Sequence, residues 1–364
     1  MREPLFHIAK RDALVWWKAW LIRLSAIVLA LIVCALLTFA LTGLSPLDVF
    51  AALIKGAVST RMKRWAFFEG TAVLLVIALA VTPAFRMRFW NTGAEGQVLV
   101  GALATATVMM FLGDKVPNVV LIFLMLIAAF ASGALWGFIP AAFKAKWNTN
   151  ETLFTLMMNY VAIQLVNYFA YQWSVPKGSG SIGMINMNTK AGWLPAVFGE
   201  SYSLIIAAAV VLTVIMYIYL NYSKHGYEIS VVGESENTAR YIGINVKKVI
   251  VRTMILSGAV CGLAGFLIVS GADHTVSSGT VGGQGFTAIM VSWLAKFNPV
   301  VMMLTSALII FLQKGAGEIS TRFGLNKSFS DILTGVIILF IIGCEFFINY
   351  RIIFNHRHQK GEQA

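Results

Sequence analysis

The chain has 364 residues, 58% of them hydrophobic and only 12% charged. A soluble domain carries about 25% charged residues, so half that amount spread between long apolar runs excludes a soluble enzyme. The 28 Lys and Arg against 16 Asp and Glu give a net charge of +12. In a membrane chain this reads first as the bias of basic residues toward the cytoplasmic side, and no nucleic-acid partner is expected.

Residues 1–23 are expected to form a cytoplasmic segment; they carry Arg2, Lys10, Arg11, Lys18 and Arg23, with no small-residue cleavage site after the next apolar run. The start is therefore expected to be kept rather than removed as a signal peptide. A bilayer-crossing helix needs about 20 apolar residues. Runs free of Asp, Glu, Lys and Arg cover 24–47, 70–85, 96–113, 116–143, 152–175, 201–223, 253–272, 274–295 and 297–313, and a tenth, 332–350, is broken only by Glu345. An all-α polytopic membrane protein of about ten transmembrane helices is expected, with a transmembrane domain over 24–350 and a cytoplasmic tail over 351–364. The run after Gly96 is short, and the one after His274 opens with Ser, Thr and Gly. Between the first two spans, the basic stretch from Lys55 to Arg64 is expected to lie on the membrane surface as an amphipathic helix. Cys34, Cys261 and Cys344 lie in or at the ends of apolar runs without metal-ligand spacing and read as small buried hydrophobes.

Three places look like helix starts. Thr92-Gly-Ala-Glu95 has the form of a capping box, Asn148 precedes Glu151 as a candidate cap, and Ser328 precedes Asp331. Each acid is expected in a first helical turn, where the helix dipole favours it. Asn91-Thr-Gly-Ala-Glu-Gly-Gln97 is unusual beyond that, because irregular backbone at membrane depth is tolerated only against protein or water. Gly279-Thr-Val-Gly-Gly-Gln-Gly285 repeats its Gly-Gln pair, which suggests an inverted internal repeat with the first break at the inner side and the second at the outer. Candidate pathway residues are Asn91, Glu95, Gln97, Gln284, Glu69 and Asn159, with Gln164, Asn167 and Ser257 also polar on apolar spans. Glu151, Thr155 and Asn159 fall on one helical face of the fifth span, so Asn159 is expected to face the route. The alternative for such polar residues is bonding between helices, and Gly133 with Gly137, Gly258 with Gly262, and Cys261 with Gly265 read as close-packing pairs.

The segment 223–248 is the one informative loop. Ser235 is a candidate N-cap, Glu236 suits a first turn, and Gly243 can close the helix. Val231, Val232, Tyr241, Ile242 and Ile244 would then expose an apolar patch that suits a docking protein. With both termini cytoplasmic, 18 of the 28 basic residues fall on the inner side.

The segments 91–97, 150–160 (Asn-Glu-Thr-Leu-Phe-Thr-Leu-Met-Met-Asn-Tyr) and 226–244 together resemble the permease subunits of bacterial ABC importers in the branched-chain amino acid, ribose and nucleoside group. The resemblance runs from about Leu24 to Tyr350 and is nearest to nucleoside permeases that work with basic-membrane-lipoprotein binding proteins. The chain departs from that pattern in having Trp90-Asn91-Thr92 for Phe-Asn-Ile, and Thr149-Asn-Glu-Thr-Leu-Phe-Thr for Val-Asn-Glu-Val-Ile-Ser-Thr. The resemblance implies a non-enzymatic translocation subunit in a bacterial cell membrane. Its implied partners are a second permease, two ATPase subunits that hold ATP and Mg, and an external lipoprotein delivering a nucleoside or simple sugar. It also implies that the segment from Gly233 through Glu234, Ala239 and Arg240 to Gly243 couples to the ATPase. The chain itself has no GxxxxGK[ST] phosphate loop. An ion-driven transporter would need acids or His inside the spans, where only Glu69 and Glu345 come near, and a membrane enzyme would need clusters that the five His do not form.

Overall fold

The computed structural model describes residues 6–354 apart from 12–14, 44, 175–181 and 198; Arg2 and the end of the expected tail, 355–364, lie outside the described residues. In chain order the elements are β1 (Phe6–Lys10), α1 (Trp16–Thr42), α2 (Pro46–Val58), α3 (Arg61–Arg86), α4 (Ala94–Leu112), α5 (Asn118–Trp147), α6 (Glu151–Trp173) and α7 (Ser203–Tyr222). They continue with α8 (Lys224–Glu234), α9 (Glu236–Tyr241), α10 (Val246–Leu267) running into a π turn over Ile268–Ala272, α11 (Gln284–Leu294), α12 (Pro299–Arg322), α13 (Lys327–Asn349) and β2 (Tyr350–Phe354). Among the described residues, nine helices are long and apolar enough to cross a membrane. The all-α reading holds, apart from an antiparallel ribbon that pairs β1 with β2. The run at 274–295 does not form a tenth span. It yields only α11, whose 11 residues reach about 16 Å at 1.5 Å per residue, half a crossing.

The chain divides into two compact units, residues 60–310 and residues 1–59 with 311–364. In the second, α2 lies against the end of α12, where a Cβ on Gly56 would overlap the Gly315 backbone. The expected surface helix from Lys55 to Arg64 is not one element: α2, with Lys55 in its last turn, ends at Val58, and Thr60 caps a new helix by accepting from Lys63 N. Basic side chains at both ends of a short break give no continuous apolar face to lay on a membrane.

In the unit 60–310, α3 is buried from Gly70 to Phe85 except at Thr71, with α10, α11 and α7 against it, and α4, α5 and α10 pack on one another. Glycines set the spacing of this core, as their small-residue pairing suggests. A Cβ on Gly133 would overlap the Gly258 carbonyl, one on Gly262 the Ala129 carbonyl, and one on Gly265 the Val98 carbonyl, so the backbones touch directly. One end of this unit gathers the Lys144–Glu151 pair at 2.8 Å, the Arg252–Glu228 pair at 2.8 Å, and Arg86 donating to the Leu220 carbonyl at 3.2 Å. The other end gathers the Arg61–Glu200 ion pair and Ile185 N donating to the His274 carbonyl at 2.8 Å.

Two caps fall elsewhere than the sequence suggests. Asn148 adopts φ 51° and closes α5, while Asn150 caps α6 by accepting from Leu153 N. Asn326, not Ser328, caps α13, which leaves Asp331 beyond the first turn. At the first, Asn150 takes the cap because Asn148 adopts the left-handed conformation that ends a helix; at the second, Asn326, two residues before Ser328, takes it.

Candidate functional site: a junction of two interrupted helices

The break between α3 and α4 is tied to three other helices. Asn91 is fully buried; its Oδ1 accepts from Gly93 N at 3.0 Å, and its Nδ2 lies 3.3 Å from Gln97 Oε1 and 3.2 Å from Ser257 Oγ on α10. From α6, Asn159 Oδ1 accepts from Gly96 N and its Nδ2 donates to the Thr92 carbonyl, both at 2.8 Å. One turn earlier, Thr155 Oγ1 sits 3.0 Å from Thr92 Oγ1. Gly96 is required by this approach, since a Cβ there would lie 2.9 Å from Asn159 Oδ1 and 3.0 Å from its Cα.

Glu95 provides the third tie. Its two carboxylate oxygens accept from Gly283 N and Gly285 N, each at 2.8 Å, so one side chain caps the start of α11. A carboxylate at a helix N-terminus meets unsatisfied N–H groups and the positive end of the dipole. Thr92-to-Glu95 is consequently not a capping box. Gly93 takes the N-cap position of α4 without a side-chain bond, and Glu95 is turned outward to another helix. The two Gly-Gln breaks therefore meet and do not lie at opposite sides of the membrane. Gly283, at φ 80°, makes the turn into α11, and a Cβ on Gly285 would overlap the Glu95 backbone. Beside the junction, Trp90 stacks on Trp293 at 5.4 Å between ring centroids, and Thr82 Oγ1 lies 3.0 Å from Ser292 Oγ.

Asn91, Glu95, Gln97 and Asn159 are thus brought into one buried network, together with Thr92, Thr155 and Ser257. Gln284 adjoins it on α11, its Oε1 buried without a hydrogen bond. Glu69 belongs to another neighbourhood. Burial, then the charges of Glu69 and Asp273, push the Tyr202 phenol above its ordinary range. The sequence marks Thr92, Thr155 and Ser257 as polar positions, but which groups they bond required the tertiary structure, because Ser and Thr are common in membrane helices as intrahelical bond makers.

At the other candidate site, α9 forms as expected, with Ser235 Oγ accepting from Thr238 N at 3.2 Å and Gly243 at φ 85°. The apolar patch is smaller than expected. Val232 is buried in the α3–α8–α10 core and Val231 and Ile244 pack against that core, whereas Tyr241 is 93% exposed and Ile242 51%. Ala239 is fully buried, and a Cβ on Gly233 would overlap the Arg86 carbonyl, so these two seat the helices while Glu234, Arg240 and Gly243 are at the surface.

Residues 66–342 match the family described as branched-chain amino acid transport system / permease component. The chain belongs to this family and is the permease component of an ABC transporter, a translocation subunit and not an enzyme. Guanosine ABC transporter permease protein NupP of Bacillus subtilis is 32% identical over 88% of this chain and 92% of its own length. Glucose ABC transporter permease protein TsgB13 of Haloferax volcanii is 28% identical over 92% of this chain and 90% of its own. Nucleoside ABC transporter permease protein NupB of Lactococcus lactis is 26% identical over 88% and 90%.

Proposed function

We propose that this permease passes nucleosides across a bacterial cytoplasmic membrane, with both termini on the cytoplasmic side. In this reading an extracytoplasmic lipoprotein delivers the solute, a second permease subunit completes the path, and ATPase subunits holding ATP and Mg dock at 233–243. The observation that carries it is the Glu95 clasp on Gly283 and Gly285. Interrupted helices that face each other inside a membrane are the usual building material of a substrate route. Asn91, Glu95, Gln97 and Asn159 act by holding the two breaks, since their polar groups are used on the chain itself. Gln284 retains an unbonded oxygen for a solute, and Glu69 stands by the entry near Tyr202. The substrate class follows the Bacillus subtilis and Lactococcus lactis relatives.

A simple sugar is the second reading, favoured by the length of the Haloferax volcanii match. The test is the complete transporter, with its ATPase, partner permease and lipoprotein, in vesicles. ATP-driven uptake of labelled guanosine that excess uridine competes away and glucose does not is the expected result. Glucose uptake without guanosine uptake selects the second reading, and uptake of neither overturns both.

A further inference from the structure

The exposed side of α6 differs from that of its neighbours. Among the nine candidate spans α6 is the least apolar, yet it is no more buried than α7. Along the middle of α5 and α7 the exposed large side chains are all apolar, such as Phe123, Ile127, Val211 and Ile215. On α6 the exposed Leu153 and Met157 give way to an outward stripe of Tyr160, Gln164, Asn167 and Tyr171, with Val161 and Tyr168 beside it, spaced four, three and four residues apart and so on one helical side. The three rings are 64%, 61% and 58% exposed for Tyr160, Tyr171 and Tyr168. Asn167 Nδ2 donates to Gln164 Oε1 at 3.3 Å, which pairs the two amides with each other midway along a membrane helix.

Two amides cannot face hydrocarbon cheaply, because lipid offers their remaining donors and acceptors nothing. The stripe therefore borders water or another protein. Helix interfaces in a membrane are built on small residues that let the backbones approach, whereas the amide pair here is framed by large phenols. From 152 to 173 α6 has no Asp, Glu, Lys or Arg, so the surface suits an uncharged solute. Flat rings with polar tips and in-plane amides are the groups that grip a nucleobase, by stacking on its face and bonding its edge. The opposite side of the same helix, through Thr155 and Asn159, holds the break before α4.

We infer that the exposed stripe of α6 is a wall of the solute conduit, where Tyr160, Tyr168 or Tyr171 stacks on the base of a passing nucleoside while Gln164 and Asn167 bond its edge. This rests on the nucleoside reading above. The experiment uses the complete transporter in vesicles, with Cys34, Cys261 and Cys344 replaced by Ala and single substitutions Gln164→Cys, Asn167→Cys or Val211→Cys. A charged, membrane-impermeant thiol reagent should modify positions 164 and 167 but not 211, and guanosine with the lipoprotein should slow that reaction severalfold. Tyr168→Ala should raise the KM for guanosine about tenfold, with Tyr168→Phe unchanged, as expected for one lost stack. If positions 164 and 167 stay unreactive in every nucleotide state, the stripe is covered by protein or lipid and the inference is overturned. If both react and only glucose protects them, the conduit wall stands and the nucleoside reading fails.

Discussion

Glu95 contributes two acceptors to two N–H groups that would otherwise be orphaned inside the protein. Glu95→Gln preserves the shape but turns an NH2 toward one of those donors, and a buried unsatisfied pair of this kind costs about 1–3 kcal/mol. The variant should melt at a lower temperature when purified in detergent and lose ATP-driven uptake; an unchanged melting curve would mean that α11 needs no cap. At this scale the residues of the network were legible in the sequence, since Asn91, Glu95, Gln97 and Asn159 are conspicuous among apolar neighbours. Their partners were not. Glu95 bonds residues 188 and 190 positions away, and periodicity along one helix says nothing about a group that distant. For Asn159 the helical face was legible, but both its amide atoms are turned to the 92–96 backbone.

Among the elements, α9 was readable to its ends because its signals are local: a Ser three residues before the N–H it accepts from, and a glycine able to take positive φ. Its exposed apolar side chains are Tyr241 and, just past its end, Ile242. Tyr241→Ser with Ile242→Ser should leave thermal stability within about 0.5 kcal/mol, as surface changes do, and lower substrate-stimulated ATPase activity of the reconstituted complex severalfold. Retained stimulation would remove α9 from the proposed ATPase contact. Ala239→Trp, by contrast, should reduce the yield of folded protein, because that site is fully buried. The length of α11 was not legible. Its apolar residues continue the pattern of a full span, and only the turn at Gly282 and Gly283, both at positive φ, shows that the chain starts its helix halfway.

For the whole molecule, the membrane class and an approximate span count came from the absence of charge, the most robust signal in the sequence. The half-length α11 lowers the count of full crossings, and in the proposed orientation Lys296 still falls on the inner side before α12. The proposed orientation predicts that a Cys at exposed Lys115 reacts with an impermeant reagent on intact cells. A Cys at exposed Asn237 should react only after permeabilisation. The reverse pattern would invert the topology and put the α8–α9 surface out of reach of any ATPase.

Backbone resting on backbone along Gly133, Gly137, Gly258 and Gly262 leaves no rotamers to rearrange, so α5 and α10 form a stiff strut, with α4 fixed to it where Gly101 meets Gly262 and Gly265 meets Ala102. A push on α9 reaches α8, whose Gly233 rests on the Arg86 carbonyl at the end of α3, with no soft side-chain layer between. Compliance falls instead to glycines of the opposite kind. At Gly279, Gly282 and Gly283 an added Cβ would meet open space or only a loose contact, and two of the three sit at positive φ. The same residue type thus serves as weld and as hinge, and the hinge lies immediately before the helix that Glu95 holds.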